Sequence, residues 1–278
     1  YEDDPAKVNT SAVLEALEGL LLLGDATGEA RYTDAAVAAA RWVAAKAYQG
    51  DGLFVDSYDP VARVFAPYRY GTRGRPLADD AVLLQVATRT GDARLRAIFF
   101  EVCERLLRDE DPPGNWINYA PCDPVRGNLH PRHAYWWGRP LIDAWRATGD
   151  RRYLACALRC GEYYRQAQRR DGGLFRGTYR DFATDSFGHA TSGMACAMLL
   201  WRELDQALPE PRFGDAYQRG LRHCLTMQFR DVQDANLRGC VLEKVLPPDG
   251  TDRSPYYVRD LGTIFFVQAL SLYLGDQR

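Results

Sequence analysis

The chain reads as all-α: an (α/α) toroid of about nine or ten helices, with an apolar inner ring and an amphipathic outer ring. Three observations predict it. A short turn motif returns about every 60 residues. Apolar helices precede that turn and amphipathic ones follow it. A second, glycine-rich turn closes the amphipathic helices. Self-similarity at a fixed period is the mark of stacked supersecondary units, so the repeat is weighed before anything else.

The first turn is Thr27-Gly28-Glu29-Ala30-Arg31-Tyr32. It returns as Thr90-Gly91-Asp92-Ala93-Arg94-Leu95 and Thr148-Gly149-Asp150-Arg151-Arg152-Tyr153, with a weaker copy at Pro211-Arg212-Phe213 and a trace at Leu274-Gly275-Asp276. Glycine ends the preceding helix in a left-handed cap. The acid that follows can cap the next helix or complement its dipole. Each copy is therefore expected to join two antiparallel helices. The helices before the turn are apolar all round: Leu14 to Leu23, Ala81 to Ala87, Met194 to Trp201 and Ile264 to Leu274. Such helices are expected to be buried on every side. The helix from about Arg151 to Arg169 is amphipathic, with Leu154, Ala157, Leu158, Gly161 and Tyr164 in one stripe.

The second turn appears as Gly50-Asp51-Gly52-Leu53-Phe54 and Asp171-Gly172-Gly173-Leu174-Phe175, more loosely as Pro113-Gly114-Asn115-Trp116 and Pro248-Asp249-Gly250. Long segments then lead to the next inner helix, roughly 55–77, 115–134, 176–187 and 231–258. Long connections gathered on one face of a compact domain usually carry function. The expectation is a single toroid domain over 1–278 with a binding cavity at one end. A closed ring needs one more helix, supplied upstream or by the N-terminal stretch.

The unit "inner helix, TGDxRY, outer helix, DGGLF" resembles the six-hairpin glycosidase superfamily of (α/α) toroids. That group includes unsaturated uronyl hydrolases, sugar epimerases and some polysaccharide lyases. The resemblance covers most of the chain and is one of scaffold. It implies acids and aromatics in the long loops at the inner-helix N-termini. A weaker resemblance links Tyr164, Gln168, Gly172 and Phe175 to squalene-cyclase and prenyltransferase toroids. The tryptophan expected near Leu174 or Phe175 is absent, and so is a DxDD motif, since Leu77-Ala78 precede Asp79-Asp80.

Candidate chemistry falls where that scaffold would place it. Asp185 precedes the inner helix expected to begin near Ser186 or Phe187, and His189 follows four residues later. Asp185 is a helix cap or, near apolar surface, a general acid. Asp80 starts another inner helix beside Asp79, where adjacent acids also suit the helix dipole. Between them lies the segment from Asn128 to Pro140, with His133, the pair Trp136 and Trp137, and Arg139. Tryptophan faces stack on sugars or fill cores. Arg139 can hold a substrate carboxylate or pair with Asp143 one turn on. Asp56, Tyr70, Trp116 and Asp260 complete the candidate substrate contacts. The catalytic candidates are Asp185, Asp80, His133 and His189. Hydrolysis needs two carboxyl groups flanking one bond. Epimerisation or elimination at a uronic acid needs a base and a cation. Arginines at 69, 73, 126, 132, 139, 176 and 180 lean toward an acidic sugar.

A carbohydrate-active enzyme is thus the leading expectation: a glycoside hydrolase, or an epimerase or lyase acting on a uronic-acid-containing saccharide. The alternatives are a terpenoid-type cyclase or isomerase in a similar toroid, and a non-catalytic toroid that binds glycan or peptide. A net charge of -2 gives no footprint for nucleic acid or anionic membrane, so a small molecule or oligosaccharide is the expected partner. No Walker loop, GxGxxG, HExxH or GxSxG motif is present, and no cofactor or metal is expected. Cys156 and Cys160 lie one helical turn apart without a histidine pair to complete a zinc set. The seven cysteines read as small buried hydrophobes, which suggests a reducing compartment and a cytoplasmic protein. Secretion is the alternative if an upstream signal peptide was removed.

Overall fold

The computed structural model describes residues 8–66, 74–184, 190–245, 256–257 and 260–276. Among these the helices are α1 (Thr10–Thr27), α2 (Ala30–Lys46), α3 (Val82–Thr90), α4 (Ala93–Asp109), α5 (His133–Thr148), α6 (Arg151–Ala167), α7 (Thr191–Ala207), α8 (Gly214–Thr226) and α9 (Asp260–Asp276). The expected inner helices are α1, α3, α5, α7 and α9. The expected outer helices are α2, α4, α6 and α8. A 3-10 turn, Asp79–Ala81, leads into α3.

Short strands lie before α1 and in connections from outer to inner helices. β1 (Val8–Asn9), β4 (Ser57–Asp59) and β5 (Val64–Ala66) form one antiparallel sheet in the order β1-β4-β5, with Val8 opposite Tyr58 and Ser57 opposite Ala66. β2 (Tyr48–Gly50) pairs with β3 (Leu53–Phe54), and β6 (Lys244–Val245) with β7 (Tyr256–Tyr257).

The tight turns follow from their residues. Gly28, Gly91 and Gly149 all take left-handed φ values, 72°, 71° and 75°. The threonine before each glycine donates to the carbonyl four residues back: Thr27 to Leu23, Thr90 to Val86, Thr148 to Ala144. Thr27 and Thr148 also accept the N–H of the acid two residues on. Asp92 caps α4 through Arg94 N and Leu95 N, and Asp150 accepts Arg152 N. Glu29 makes no such cap bond.

The second turn has a separate cause. A Cβ on Gly52 would lie 2.6 Å from Glu101 O of α4; on Gly114, 2.3 Å from Arg159 O of α6; on Gly172, 2.3 Å from Arg219 O of α8. In three successive repeats the turn backbone rests against a carbonyl of the next outer helix, and only glycine leaves room for it.

The described structure divides into two compact units. The first comprises Tyr1–Glu110, Asn118–Pro121 and Arg139–Leu154. Its core joins Leu14, Leu17 and Leu21 of α1, Val43 of α2, Val82 and Val86 of α3, and Phe99 and Val102 of α4. The second comprises Asp111–Ile117, Cys122–Gly138 and Ala155–Arg278. It is built around α7, which is buried from Thr191 through Trp201. There the Trp201 indole donates to Gly161 O and stacks beside Phe213.

Two sequence expectations are corrected here. α7 begins at Thr191, not near Ser186, because Ala190 has a non-helical backbone. α1 and α9 are not buried all round. Leu22 of α1 and Ile264, Val267, Leu272 and Leu274 of α9 are exposed. Among the described residues their neighbours cover only part of each helix.

Candidate active site

The first unit holds a cluster of acids around one arginine. Leu77 and Ala78 are buried and bring the chain into the 3-10 turn. Asp80 and Ala81 then both take left-handed backbone, with φ values of 50° and 52°. Neither residue is glycine, and such conformations cost of order 1–3 kcal/mol each. They persist only where neighbours hold them. Gln85 Nε2, one turn into α3, donates to Asp80 O at 2.8 Å. Arg139 of α5 donates from Nη1 to Asp80 Oδ1 at 2.5 Å. The same guanidinium meets Glu18 of α1, Nη2 to Oε1 at 2.9 Å and Nη1 to Oε2 at 3.3 Å. Gln85 Nε2 also reaches Glu18 Oε1 at 3.2 Å. Two carboxylates from different elements thus share one guanidinium nitrogen.

Asp79 lies behind Asp80, and only 2% of it is exposed. Its Oδ1 accepts a 3.4 Å bond from Ser11 Oγ of α1, and its Oδ2 has no hydrogen-bond partner among the described residues. Asp56 and Arg75 form a buried bidentate pair, with Arg75 Nη2 at 2.7 Å from Asp56 Oδ1 and Nε on Oδ2. Arg75 Nη1 also donates to Ala120 O at 3.3 Å.

The electrostatics follow from burial among like charges. Desolvation pushes the Asp80 carboxyl up to about 7; Arg139 opposes the rise, and Glu18 and Glu15 add to it. Asp79 is raised well above the carboxylate range by burial and by Glu15, with Arg75 opposing. A carboxyl titrating near neutrality can both give and take a proton at working pH, as acid–base catalysis requires. A strongly perturbed carboxyl beside a specific charge partner is a site candidate on physical grounds.

The second unit contains an aromatic and histidine cluster at the start of α5. His133 is fully buried. Its ring stacks on Trp137, with centroids 4.2 Å apart, and its Nδ1 lies 3.2 Å from Cys122 Sγ. Trp137 meets Trp116 edge to face at 5.2 Å, and both are buried. Asn115 ties the connection down: its Oδ1 accepts Trp116 N and its Nδ2 donates to His130 O. Cys122 Sγ accepts His130 N at 3.1 Å, and burial pushes its thiol up to about 12 against that bond. Trp136 is half-buried. Its ring stacks on His130 at 5.6 Å, nearly parallel, with the Arg132 guanidinium 5.0 Å away.

The sequence-selected residues therefore sort by environment. Asp80 and Arg139 come together, with Asp56 buried in the same unit. Asp143 binds Arg146 at 3.1 Å. Asp79 and Asp80 do not cap α3: the residue at its cap is Ala81, and the left-handed turn separates the two acids from the helix start. His133, Trp116 and Trp137 fill the core of the second unit. Asp260 is exposed at the first residue of α9, where its carboxylate accepts Leu261 N. Asp185, His189 and Tyr70 lie outside the described residues. Among the described residues no group of three or more His, Cys, Asp or Glu side chains is arranged to hold a metal. No described helix is long and apolar enough to cross a membrane.

Sequence reasoning misses Glu18, Glu15 and Gln85. A signal is present: Glu15 and Glu18 are acids one turn apart in an otherwise apolar helix. Such acids are rarely buried without partners.

No protein-family model matches the chain, and no curated protein matches it in sequence. Solved structures do match. An unsaturated glucuronyl hydrolase from Bacillus sp. GL1, described as responsible for the degradation of glycosaminoglycan, superposes with a TM-score of 0.68 at 16% identity, over 94% of this chain and 71% of its own. A cellobiose 2-epimerase from Bacillus thermoamylovorans B4167 gives 0.69 at 11% identity, over 97% and 73%. A family 105 glycoside hydrolase from C. acetobutylicum ATCC 824 gives 0.67 at 13% identity, over 96% and 72%. The fold is an (α/α) toroid like theirs. Identities this low make the likeness one of fold, so chemistry in this toroid is argued from its own residues.

Proposed function

We propose that the chain is a carbohydrate-active enzyme in which Asp80 is the acid–base group, Glu18 the second carboxylate and Arg139 the cation that holds both. One observation carries this reading: a carboxyl titrating near 7, set on a left-handed turn before an inner helix, shares a guanidinium with a carboxylate from another helix. The structural neighbours act on sugars, which makes a saccharide the first substrate to test.

The geometry serves two related reactions. In glycoside hydrolysis, protonated Asp80 gives its proton to the glycosidic oxygen as the C–O bond breaks. Ionised Glu18 stabilises the positive charge that develops on the sugar. Water then adds at the anomeric carbon and returns a proton to Asp80. In epimerisation or elimination at a uronic acid, ionised Asp80 takes the proton next to the carboxylate and Arg139 neutralises the enolate that forms; the enolate then takes a proton on its other face, or expels the β-oxygen, which leaves with the proton from Asp80. Once Asp80 carries a proton its hold on Arg139 weakens, and the guanidinium can then meet the carboxylate of a uronic acid. Asp185 and His189 stay with this reading as further catalytic candidates, and Tyr70 as a substrate contact. Seven free cysteines suit a reducing compartment.

The test is turnover. Purified protein is incubated with a panel of neutral and uronic oligosaccharides, and products are read by NMR. Conversion of one saccharide class is expected, with Asp80→Asn slower by about 100- to 10,000-fold. Undiminished turnover in Asp80→Asn would remove Asp80 from the chemistry.

A further inference from the structure

We propose that Asp79 is a positioning residue that acts through Asp80, its sealed carboxyl carrying a proton and fixing the left-handed turn from which Asp80 meets Arg139 and Glu18. This inference deepens the reading of Asp80 as the acid–base group and rests on it.

The argument begins with hydrogen bonding. Asp79 is 2% exposed, and its Oδ2 meets no donor among the described residues. Its Oδ1 has a single long contact, from Ser11 Oγ at 3.4 Å. An ionised carboxylate offers about four acceptor sites and is costly to bury with so few donors. The charges around it point the same way. Glu15 of α1, Asp80 of the same turn and Asp56 all repel a negative charge, and Arg75 is the one attractive group among these neighbours. Arg75 is already held bidentately by Asp56. The proton therefore stays on Asp79.

The second step is mechanical. Asp80 and Ala81 occupy consecutive left-handed conformations that residues with a Cβ resist. The turn needs an anchor on each side. Gln85 and Arg139 grip Asp80 from the α3 and α5 side. Asp79, buried with its Oδ1 3.4 Å from Ser11 Oγ of α1, flanks it on the other. A neutral anchor has a chemical consequence. An anion one residue away would raise the Asp80 proton affinity further, and an uncharged one leaves Asp80 to the balance of Arg139 against Glu18 and Glu15.

The test reads protonation directly in the ligand-free protein, so it does not depend on any substrate. Aspartate is labelled with 13C at Cγ, and the side-chain carboxyl shifts are followed against pH. Asp79→Asn and Asp80→Asn assign the two signals. Asp79 is expected to keep the shift of a protonated acid through pH 7. Asp79→Asn, a neutral isostere, is expected to leave the Asp80 midpoint near 7. Asp79→Ala removes the anchor, and the Asp80 midpoint is expected to drop toward the ordinary carboxylate range. If Asp79→Ala does not fold, Asp79→Asn decides alone. An Asp79 signal that titrates in the ordinary range overturns the proposal. So does an Asp80 midpoint that falls in Asp79→Asn. Failure of turnover on every saccharide, with these titrations as expected, would sink the sugar reading and leave the positioning role standing.

Discussion

At the scale of the residue, Asp79 and Asp80 show how two neighbours with one side chain type acquire different environments. Asp80 is partly exposed and gripped by a guanidinium, while Asp79 is sealed with an oxygen that meets no donor among the described residues. Their raised proton affinities also bear on stability. The folded chain keeps protons that the unfolded chain releases just above the ordinary carboxylate range. Stability therefore falls as pH rises through that window, and the Asp80 share is fully lost by about pH 7. That share is on the order of a few kcal/mol. Asp80→Asn cannot titrate, so its melting temperature is expected to fall less between pH 5 and pH 8 than that of the parent. Equal falls in both proteins would show that Asp80 titrates normally. Asp80 and Arg139 are legible in the sequence as candidates because they sit at or near the start of an expected inner helix. Glu18 is legible only in part: its place in an otherwise apolar helix is a signal, but its partner is not local. Its role arises from α5 placing Arg139 beside it, a contact across 121 residues.

At the scale of the element, the turns are the most legible part of the chain. Thr-Gly-Asp makes its bonds within a few residues, so its structure is written locally. The Asp-Gly turns are recognisable as turns, but the reason for their glycine is non-local. Gly114 and Gly172 each touch a carbonyl of a helix more than forty residues away in sequence. Their φ values of 78° and 89° add a second constraint. Gly172→Ala is expected to destabilise the protein by at least about 1–2 kcal/mol, from strain and steric overlap together. Gly149→Ala has the strain without the overlap, since a Cβ added there would meet nothing within 4 Å. Urea unfolding midpoints should rank the parent above Gly149→Ala, and Gly149→Ala above Gly172→Ala. The reverse order would mean that the carbonyl contact is not limiting. The start of α7 escapes local reading for a related reason. Its cap comes from Glu243, fifty-one residues on, whose Oε2 accepts Ser192 N at 3.0 Å. No pattern around Ser186 could announce that.

At the scale of the whole molecule, the alternation of apolar and amphipathic helices predicts the toroid fold that the solved neighbours share. Periodicity survives sequence divergence because it encodes which face is buried, not which residues bury it. Chemistry does not survive in the same way. The neighbours include hydrolases and epimerases on one scaffold. The apolar faces left open on α1 and α9 mark where burial falls short of what composition alone suggests. That a saccharide is the substrate is the central claim. It is tested most directly by thermal melting of the parent protein and of Asp80→Asn with neutral and uronic oligosaccharides. A ligand that binds the folded state raises the melting temperature by mass action. A rise with one saccharide class in both proteins, with conversion of that saccharide by the parent only, is the predicted result. No rise with any saccharide in either protein would contradict it.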